Sequence, residues 1–483
     1  TYQAQIQPYK KAIVIPAGLD RQGNGRYCSS TFKELEELVD SYAWALHNAG
    51  VDFGMRVVLA QKPGRDLVAI TFALYKIGAI PVFIDPGMGK EGLLNCVAKA
   101  KATALIGTMK AQIMSYIARS AFSDVQLFIN TGKRSFGRIK SLYKLPSSTQ
   151  PFPVAETKVE DTAAILFTSG STGPAKGVVY THGMFAHQIQ IIKDKYGVTD
   201  DDVDMSIFPL FALFAVCMGM KTVIPDMDTS KPLKADPERI CRVIHDHCVS
   251  FSFGSPTFWN KMADYCIDHE MKLPTLRALL MAGCSVSATL HTKFLDHLLG
   301  PNGDTYIPYG ATESLPLTTF CGTDVLGFSA GATDQGAGTC VGKVTSDKIN
   351  ISIIKITNNP IKDWDESLLC ETGVVGEIIA KGLVTSQEYY EENDANAKAK
   401  IREGRYIWHR MGDIGYLDEE GYLWFCGRKA DRVTLEDNEL YTDQCENIFN
   451  TLSDVYRSAL VPFVKNGKTE AAIILELFDK CLL

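Results

Sequence analysis

Residues 165–182 read ILFTSGSTGPAKGVVYTH and set a loop rich in glycine and hydroxyl groups between two apolar, β-branched runs. Gly170 and Gly173 let the backbone approach an anion without a Cβ in the way, and Lys176 adds a compact positive charge. Hydroxyl donors come from four further side chains: Thr168, Ser169, Ser171 and Thr172. The segment therefore predicts a phosphate-binding loop, in which each charge-assisted hydrogen bond would contribute about 1.5–3 kcal/mol.

This loop differs from a Walker P-loop. The Gly-x-x-x-x-Gly-Lys-Ser/Thr spacing is absent from the segment, and residues 177–180 after Lys176 predict a strand rather than a helix. An ordinary polar hairpin loop is the plain alternative, because glycine, serine, threonine and proline are the usual turn residues. The order of the residues favours the phosphate-binding interpretation.

The charge of the chain argues against one class of function. Of its 483 residues, 46% are hydrophobic and 22% are charged, as in a soluble globular protein, and the formal net charge is -7. A general nucleic-acid binder needs a basic face to neutralise phosphates, so we expect no nucleic-acid partner. We interpret one basic cluster as a solvated connector, with contact to anionic lipid or a charged substrate left open: Lys133, Arg134, Arg138, Lys140 and Lys144.

The cysteines indicate a reducing compartment. Thirteen of them are scattered without a Cys-x-x-Cys pair, mostly beside apolar residues, which is typical of reduced core thiols in the cytoplasm. Cys241, His245 and Cys248 share one face of a predicted helix with Ile244, and His247 lies close by. A buried stripe is favoured there over a metal site.

The longest apolar run covers residues 207–220 and contains Pro209 and Gly219. It is too short to span a bilayer, so we expect a buried segment and no transmembrane helix. No signal peptide opens the sequence, and the missing initiator methionine indicates that the sequence is trimmed.

Helical and strand patterns alternate along most of the chain. An amphipathic helix is predicted over 32–49, and a strand, a helix and a strand follow at 56–59, 67–77 and 80–84, which is the order of a βαβ unit. A further helix is predicted over 185–196, capped by Thr181 and ended by Gly197. Other buried strands are predicted at 104–106, 125–129, 250–253, 278–281 and 305–308. These patterns predict an α/β protein.

The pattern changes after about residue 340. Short strands separated by turns are predicted at 349–356, 376–381, 414–417 and 422–425, with no long helices between them. This part of the chain therefore predicts a β-rich subdomain.

A second polar motif follows the strand predicted at 305–308. Residues 309–313 read YGATE, which places an aromatic ring, a hydroxyl and a carboxylate at the carboxyl end of a strand, where open α/β sheets bind ligands. Ala282 and Gly283 follow the strand at 278–281 in the same way. Taken alone, the YGATE motif also fits a tight turn with a surface glutamate.

Two shorter motifs offer contacts for a sugar. Asp413 has Gly412 and Gly415 close on either side, so the chain can approach a ligand and the carboxylate could accept two ribose hydroxyls. Arg428, in the sequence Gly-Arg-Lys, offers a second ribose or phosphate contact, because a guanidinium group suits multidentate recognition. Each motif is weak by itself.

Together and in this order, the four motifs closely resemble the adenylate-forming superfamily, which includes acyl-CoA synthetases, luciferases and the adenylation domains of peptide synthetases. The resemblance covers nearly the whole chain and implies ATP and Mg²⁺ as cofactors. It implies catalytic roles for Lys176 and Thr312 at the phosphates and for Glu313 at the magnesium ion. It also implies a nucleotide site: phosphate at Thr168, Ser169, Gly170, Ser171, Thr172 and Gly173, adenine at Ala282, Gly283, Tyr309, Gly310 and Ala311, and ribose at Asp413 and Arg428.

The resemblance also implies the domain organisation. We expect a large N-terminal adenylate-forming domain over 1–426, with βαβ subdomains and the β-rich subdomain, and then the incomplete start of a small mobile α+β C-terminal domain over 427–483. The charged stretch 427–431 interrupts apolar strands at that boundary. The superfamily's catalytic lysine near the end of the C-terminal domain has no counterpart before Leu483, so we name no residue for it.

Within the superfamily, segments 208–214, 224–228, 308–313, 336–342 and 408–449 look like the olefin β-lactone synthetases. That family activates a 2-alkyl-3-hydroxy fatty acid as its adenylate and closes it to a β-lactone. The likeness implies a fatty-acid-type substrate, with other enzymes of an olefin pathway as partners. Three departures from the thioester-forming members agree with this likeness. Ala212 replaces their usual histidine, and Ala430 replaces their hinge aspartate or lysine. Asp437 stands where they have a glycine that lines the pantetheine tunnel.

Two other functions stay open at this point. A long-chain fatty acyl-CoA ligase would share the adenylation half-reaction. An inactive nucleotide-binding scaffold would be expected to lack Lys176 or Glu313, and the chain has both.

Overall fold

The protein is described by a computed structural model that covers residues 1–19, 25–168 and 174–478, with the backbone alone at Thr168. Its contacts define two compact units. The first comprises Thr1–Leu279 and Glu388–Glu392, and the second comprises Leu280–Gln387 and Asn393–Leu483. The domain boundary predicted at residue 427 stays a prediction.

The first unit alternates strands and helices. Its strands are β1 (Lys11–Leu19), β2 (Gly25–Thr31), β3 (Arg56–Ala60), β4 (Ile80–Ile84), β5 (Ala104–Gly107), β6 (Leu127–Asn130), β7 (Lys140–Ser141), β8 (Thr162–Thr168), β9 (Lys176–Thr181), β10 (Val203–Ser206), β11 (Lys221–Val223) and β12 (Phe251–Gly254), and β13 (Ala278–Met281) leads into the second unit. Its helices are α1 (Tyr2–Ile6), α2 (Phe32–Ala49), α3 (Arg65–Ile77), α4 (Gly89–Ala100), α5 (Met109–Ile117), α6 (His182–Lys195), α7 (Phe211–Met218), α8 (Pro237–His247) and α9 (Pro256–Asp268).

Two sheets organise this unit. One has the order β7-β6-β5-β3-β4-β8-β9 and is parallel except that β9 runs antiparallel to β8. The other sheet holds the strands of this unit in the order β2-β1-β11-β10-β12. Its neighbouring strands are parallel, except that β2 runs antiparallel to β1. The chain runs β3-α3-β4-α4-β5-α5-β6, which confirms the predicted βαβ order.

Local sequence sets the ends of two helices. The Thr31 hydroxyl accepts the Glu34 N–H and the Glu34 carboxylate accepts the Thr31 N–H, a capping box that stabilises the start of α2 by about 1 kcal/mol. Gly50 ends α2 with a φ of 105°, so the predicted span 32–49 is confirmed. The helix predicted over 185–196 runs instead over 182–195, because the Thr181 hydroxyl accepts the N–H of Met184 and so starts the first turn earlier.

Helix α8 corrects one expectation. Cys241 and Ile244 are buried, as expected of an apolar stripe, but His245 and Cys248 are exposed. Cys248 lies just beyond the helix with a left-handed φ of 53°, so its side chain leaves the helical periodicity. Within residues 1–19, 25–168 and 174–478, no group of three or more His, Cys, Asp or Glu side chains could hold a metal ion.

The apolar run at 207–220 forms α7 and its flanks. Ala212, Leu213 and Val216 are buried, which confirms a buried segment, whereas Phe208 before the helix is 45% exposed. None of the helices in the described part of the chain is long and apolar enough to cross a membrane.

The second unit is rich in antiparallel strands. They are β14 (Asp304–Ala311), β15 (Ser314–Cys321), β16 (Thr339–Cys340), β17 (Lys343–Val344), β18 (Ile349–Ile354), β19 (Gly376–Gly382), β20 (Lys400–Glu403), β21 (Tyr406–Leu417), β22 (Leu423–Arg428), β23 (Val433–Thr434), β24 (Glu439–Leu440), β25 (Val455–Lys465) and β26 (Lys468–Leu477). Five short helices accompany them: α10 (Ala288–Thr292), α11 (Gly322–Asp324), α12 (Ala330–Asp334), α13 (Asn393–Ala399) and α14 (Thr442–Phe449).

The strands described in this unit form three hairpins and one sheet. Strands β14 and β15 pair antiparallel, with β17 beside β15, and β23-β24 and β25-β26 form two separate hairpins. A sheet of order β16-β22-β21-β19-β18, with β20 beside β21, is antiparallel throughout. The β-rich part predicted after residue 340 is therefore confirmed.

A buried carboxyl group lies within the second sheet of the first unit. Asp204 on β10 accepts hydrogen bonds from the hydroxyls of Ser206 and Thr222, the latter over 2.7 Å. Burial raises the pKa of the Asp204 carboxyl to about 7, although both hydroxyls oppose the shift. The unfolded chain loses this proton at about pH 4, so between those values the folded state binds more protons and becomes less stable as the pH rises.

We expect Asp204→Asn to remove this pH dependence, because an amide resembles the neutral carboxyl group and never ionises. Between pH 4 and pH 8, the free energy of unfolding of the wild type should fall by on the order of 4 kcal/mol relative to that of the variant. Urea unfolding at both pH values measures it, with the exposed Asp124→Asn as the control. Parallel pH profiles for wild type and Asp204→Asn would show that the buried carboxyl has an ordinary pKa.

Candidate functional site

The predicted phosphate loop connects β8 to β9. Thr168 and Lys176 are backbone partners across this antiparallel pair, which confirms that a strand follows the loop. Five predicted phosphate contacts lie outside the described residues, together with the side chain of Thr168: Ser169, Gly170, Ser171, Thr172 and Gly173. Their roles stay predictions.

Lys176 is held against an aromatic ring. Its Nζ lies 5.1 Å from the centroid of the Tyr389 ring, a cation–π contact. Tyr389 reaches this position because segment 388–392 pairs with β9, where the Tyr390 N–H donates to the Gly177 carbonyl oxygen over 2.8 Å. The sequence analysis missed Tyr389, since no motif marks it and the pairing joins distant parts of the chain.

The YGATE motif forms the end of the β14-β15 hairpin. Ala311 and Ser314 are partners, so Thr312 and Glu313 form a two-residue turn, and both side chains are half-buried. At Gly310 the φ is 156° and an added Cβ would lie 2.6 Å from the Ser314 carbonyl oxygen, so this position requires glycine. The tight turn considered above is the actual conformation, and it places a hydroxyl and a carboxylate side by side.

A second contact fixes this turn. The backbone carbonyl oxygen of Glu313 accepts the Ser386 N–H over 2.7 Å, and the hydroxyls of Ser314 and Thr385 are 2.8 Å apart. Residues 385 and 386 therefore hold the backbone that carries the Glu313 carboxylate.

The two sugar motifs meet in the structure. Asp413 and Arg428 are direct cross-strand partners on β21 and β22, and Nη1 of Arg428 donates to Oδ1 of Asp413 over 2.7 Å. The Tyr309 hydroxyl donates to Oδ2 of Asp413, also over 2.7 Å. Three residues predicted from separate motifs thus meet at one carboxylate, that of Asp413, which accepts a hydrogen bond from each of the other two. Lys176 belongs to the first unit and these three to the second.

Burial dominates the electrostatics of this cluster. The Asp413 carboxylate is almost inaccessible, and burial raises its pKa, against the charge of Arg428 and the hydrogen bond from Tyr309. The Glu313 carboxylate adds a smaller increase to the pKa of Asp413. Burial and the neighbouring Asp413 charge raise the pKa of Tyr309, so its hydroxyl keeps its proton and remains a donor.

The cluster keeps hydrogen-bonding groups that none of its contacts within the described residues uses. Each oxygen of Asp413 has two lone pairs, so it can accept a further hydroxyl besides the donor already bound. Among the residues described, Arg428 donates to Asp413 alone, and its side chain is 40% exposed. Four N–H groups of the guanidinium thus stay available for a ribose or phosphate oxygen.

The strand that carries Asp413 is anchored by a buried ion network that the sequence analysis missed. Glu377 is a backbone partner of Ile414 and is completely buried. Its carboxylate accepts two bonds from Arg410, at 3.1 and 2.6 Å, and one from Lys429 Nζ at 2.8 Å. Two cations thus compensate this buried charge, and loss of either partner would be costly. The sequence carried one signal of this network, because the basic residues Arg410 and Lys429 lie close to Asp413 and Arg428 along the chain.

The segment after β13 also depends on a buried acid. Gly283 has a φ of 101°, and an added Cβ there would meet no atom within 4 Å, so the space beside it is open. Ser285 donates to Oδ1 of Asp443 over 2.9 Å, and Thr339 donates to Oδ2 over 2.6 Å. Burial raises the pKa of Asp443, against these hydrogen bonds. Ala282 and Gly283 therefore lie in a segment that Asp443 holds in place.

Comparison with known proteins identifies the family of the chain. The AMP-binding enzyme family matches residues 1–390 of the chain. The chain is 37% identical over 481 residues to the olefin beta-lactone synthetase of Xanthomonas campestris pv. campestris, a match that covers 98% of this chain and 85% of that protein. The chain belongs to the family of AMP-binding enzymes, which confirms the predicted resemblance to adenylate-forming enzymes.

Two solved structures share the fold. The amide bond synthetase McbA from Marinactinospora thermotolerans superimposes with a TM-score of 0.79 at 19% identity, covering 98% of this chain and 87% of that one. The o-succinylbenzoate coenzyme A synthetase from Bacillus subtilis, in complex with ATP and magnesium ion, gives a TM-score of 0.76 at 19% identity and covers 99% and 89% of the two chains. These matches confirm the predicted fold class.

We expect Asp413→Asn to weaken ATP binding at least tenfold, or about 1.4 kcal/mol, because the amide removes the charge that Arg428 pairs with and one acceptor for a diol. Fatty-acid binding should stay within twofold of the wild type. Titration calorimetry with each ligand measures both, and Asp431→Asn, an exposed aspartate near the same strand, serves as the control. Equal ATP affinity in wild type and Asp413→Asn would make Asp413 a purely structural residue.

Proposed function

We propose that this enzyme uses ATP to activate a fatty acid carboxylate as an acyl-AMP and closes a 2-alkyl-3-hydroxy acyl group to a β-lactone, with release of AMP and pyrophosphate. The observation that carries the nucleotide half is the buried Asp413 carboxylate, held by Arg428 and Tyr309 with acceptor capacity for a diol. The 37% identity to an olefin beta-lactone synthetase supports the lactone half.

In this proposal the phosphates and the magnesium ion are bound by groups on two hairpins. Lys176 and the loop before it bind the phosphates, and Thr312 contacts them from the β14-β15 turn. Magnesium in nucleotide sites usually takes one or two carboxylates plus phosphate oxygens and water, so the single carboxylate of Glu313 fits that donor set. Bound there, the ion would neutralise phosphate charge during adenylation.

The first step makes the carboxyl group reactive. One carboxylate oxygen attacks the α-phosphorus of ATP, pyrophosphate leaves, and a mixed anhydride with AMP remains. Such a transfer depends on positioning and charge stabilisation rather than on a protein nucleophile. Lys176 supplies positive charge at the phosphates, and Asp413 and Arg428 fix the ribose.

The second step uses a nucleophile within the substrate. The β-hydroxyl oxygen attacks the acyl carbon and gives up its proton to the solvent, the bond from that carbon to the AMP oxygen breaks, and AMP leaves. Well-oriented intramolecular reactions reach effective molarities of about 10⁵ to 10⁸ M, although the strain of a four-membered ring offsets much of this advantage. A positioned substrate therefore needs no second substrate such as coenzyme A.

Three positions support the lactone over a thioester. Ala212 is completely buried in α7, where a histidine would be expected of a thioester-forming enzyme. Ala430 and Asp437 are exposed, and Asp437 places a carboxylate in the turn between β23 and β24. A negative charge there opposes entry of the phosphate-bearing coenzyme A.

We also propose a cytoplasmic location and functional partners among the enzymes of an olefin pathway, which would supply the 3-hydroxy acid and consume the lactone. The twelve cysteines within the described ranges are free thiols, as expected of a reducing compartment. Cys28, Cys248 and Cys284 are exposed, so the expectation of core positions is wrong for these three.

Mass spectrometry of the products tests the proposal. With a 2-alkyl-3-hydroxy fatty acid, ATP and Mg²⁺, the product should be the acid less one water, with an equal amount of AMP, and coenzyme A should change neither. Lys176→Ala should lose at least 100-fold in rate, while Lys62→Ala, an exposed lysine outside the site, should keep the wild-type rate. An analogue without the 3-hydroxyl should stop at bound acyl-AMP. Its rapid conversion to a coenzyme A thioester would establish the acyl-CoA ligase instead.

A further inference from the structure

A concentration of positive charge lies at one edge of the first unit. Residues 109–144 contain seven lysines and arginines and one acidic residue, Asp124, in a chain with a formal net charge of -7. All seven basic side chains are exposed, and within the described part of the chain none of them pairs with a carboxylate: Lys110, Arg119, Lys133, Arg134, Arg138, Lys140 and Lys144. This charge has no role in the proposed reaction.

Large apolar side chains are exposed in the same segment. Ile113, Tyr116 and Ile117 on α5 are 52%, 62% and 72% exposed, and Phe136 in the loop after β6 is 76% exposed. Positions 113, 116 and 117 are three and four residues apart, so they lie on one face of the helix. Exposed apolar residues that cluster in this way mark an interaction site.

Contacts within the unit bring the helix and the loop to the same sheet edge. The Gln112 amide of α5 donates to the Ile129 carbonyl oxygen of β6 over 2.8 Å, and Ile129 is the backbone partner of Lys140 in the edge strand β7. The Arg138 guanidinium lies 4.1 Å from the centroid of the Phe128 ring on β6. We call the seven exposed basic and four exposed apolar side chains of this edge segment, residues 109–144, the basic surface.

We propose that the basic surface docks on an anionic phospholipid membrane. Its charge is complementary to phosphate headgroups, and each lysine or arginine near such a surface strengthens binding about fivefold. Aliphatic and aromatic side chains among cations suit a bilayer interface, because they enter the headgroup region while the cations stay at the phosphates. The Arg119 guanidinium already lies 4.4 Å from the centroid of the Tyr116 ring, which keeps that cation beside an interfacial aromatic group.

The exposed apolar groups favour a membrane over other anionic partners. A nucleic acid presents phosphates but has no apolar layer in which Ile113, Ile117 or Phe136 could be buried. An acidic protein surface would also pair with the cations, so binding to such a surface is the competing outcome of the test. The proposal does not depend on the identity of the reaction product, although docking would bring the enzyme to the phase in which long acyl chains accumulate.

Co-sedimentation with vesicles tests this proposal on the full chain. Vesicles of phosphatidylcholine with one quarter phosphatidylglycerol should bind the protein in 0.1 M salt, and vesicles of phosphatidylcholine alone should bind it at least tenfold less. Lys133→Glu/Arg134→Glu should reduce binding to the anionic vesicles at least tenfold. The matched control Lys62→Glu/Lys272→Glu changes the net charge equally at exposed lysines outside the basic surface and should reduce binding less than threefold.

A second variant separates lipid from other polyanions. Ile117→Ser/Phe136→Ser removes two exposed apolar groups and should lower vesicle binding at least threefold without changing retention on heparin. All three double variants should keep the wild-type rate of AMP release with a short-chain 3-hydroxy acid, so failure of docking is distinguishable from failure of the enzyme. The proposal is wrong if anionic and neutral vesicles bind equally, if the two charge-reversal variants behave alike, or if the apolar variant binds vesicles as the wild type does.

Discussion

The proposed nucleotide site depends on a buried carboxylate whose charge must be compensated. Asp413 is removed from water, and such a charge is tolerated only where donors replace the lost hydration. Arg428 and Tyr309 provide one donor to each oxygen. The register of β21 with β22 sets Arg428 opposite Asp413, and the β14-β15 hairpin brings Tyr309. Two strands of the sheet and one strand of the hairpin must therefore form correctly before both donors reach the carboxylate.

Two other buried acids in the second unit are likewise compensated by hydrogen-bond donors. Glu377 is buried next to the Asp413 strand and is compensated by Arg410 and Lys429, while Asp443 is buried between Ser285 and Thr339. Each acid joins segments that are far apart in the chain. The second unit thus buries acids whose oxygens accept hydrogen bonds from distant segments, an arrangement that fixes geometry at the cost of desolvation.

Local elements were predictable from the sequence, whereas long-range pairing was not. The span of α2 could be predicted because Thr31, Glu34 and Gly50 encode both of its ends. Residues 413 and 428 could be singled out from glycine spacing and charge. Their contact is a property of strand register, which depends on the whole sheet, and the approach of Tyr389 to Lys176 depends on an isolated pairing of a distant segment.

The central claim is that a carboxylate oxygen of the substrate attacks the α-phosphorus of ATP, and that the substrate hydroxyl then closes the ring. A single turnover with a 3-hydroxy acid that carries ¹⁸O in both carboxyl oxygens tests this claim most directly. Mass spectrometry should find one ¹⁸O in AMP and one in the lactone carbonyl, with an unlabelled ring oxygen from the hydroxyl group. AMP without label, together with a lactone that retains both ¹⁸O atoms, would show that the hydroxyl group is activated instead and would contradict the account.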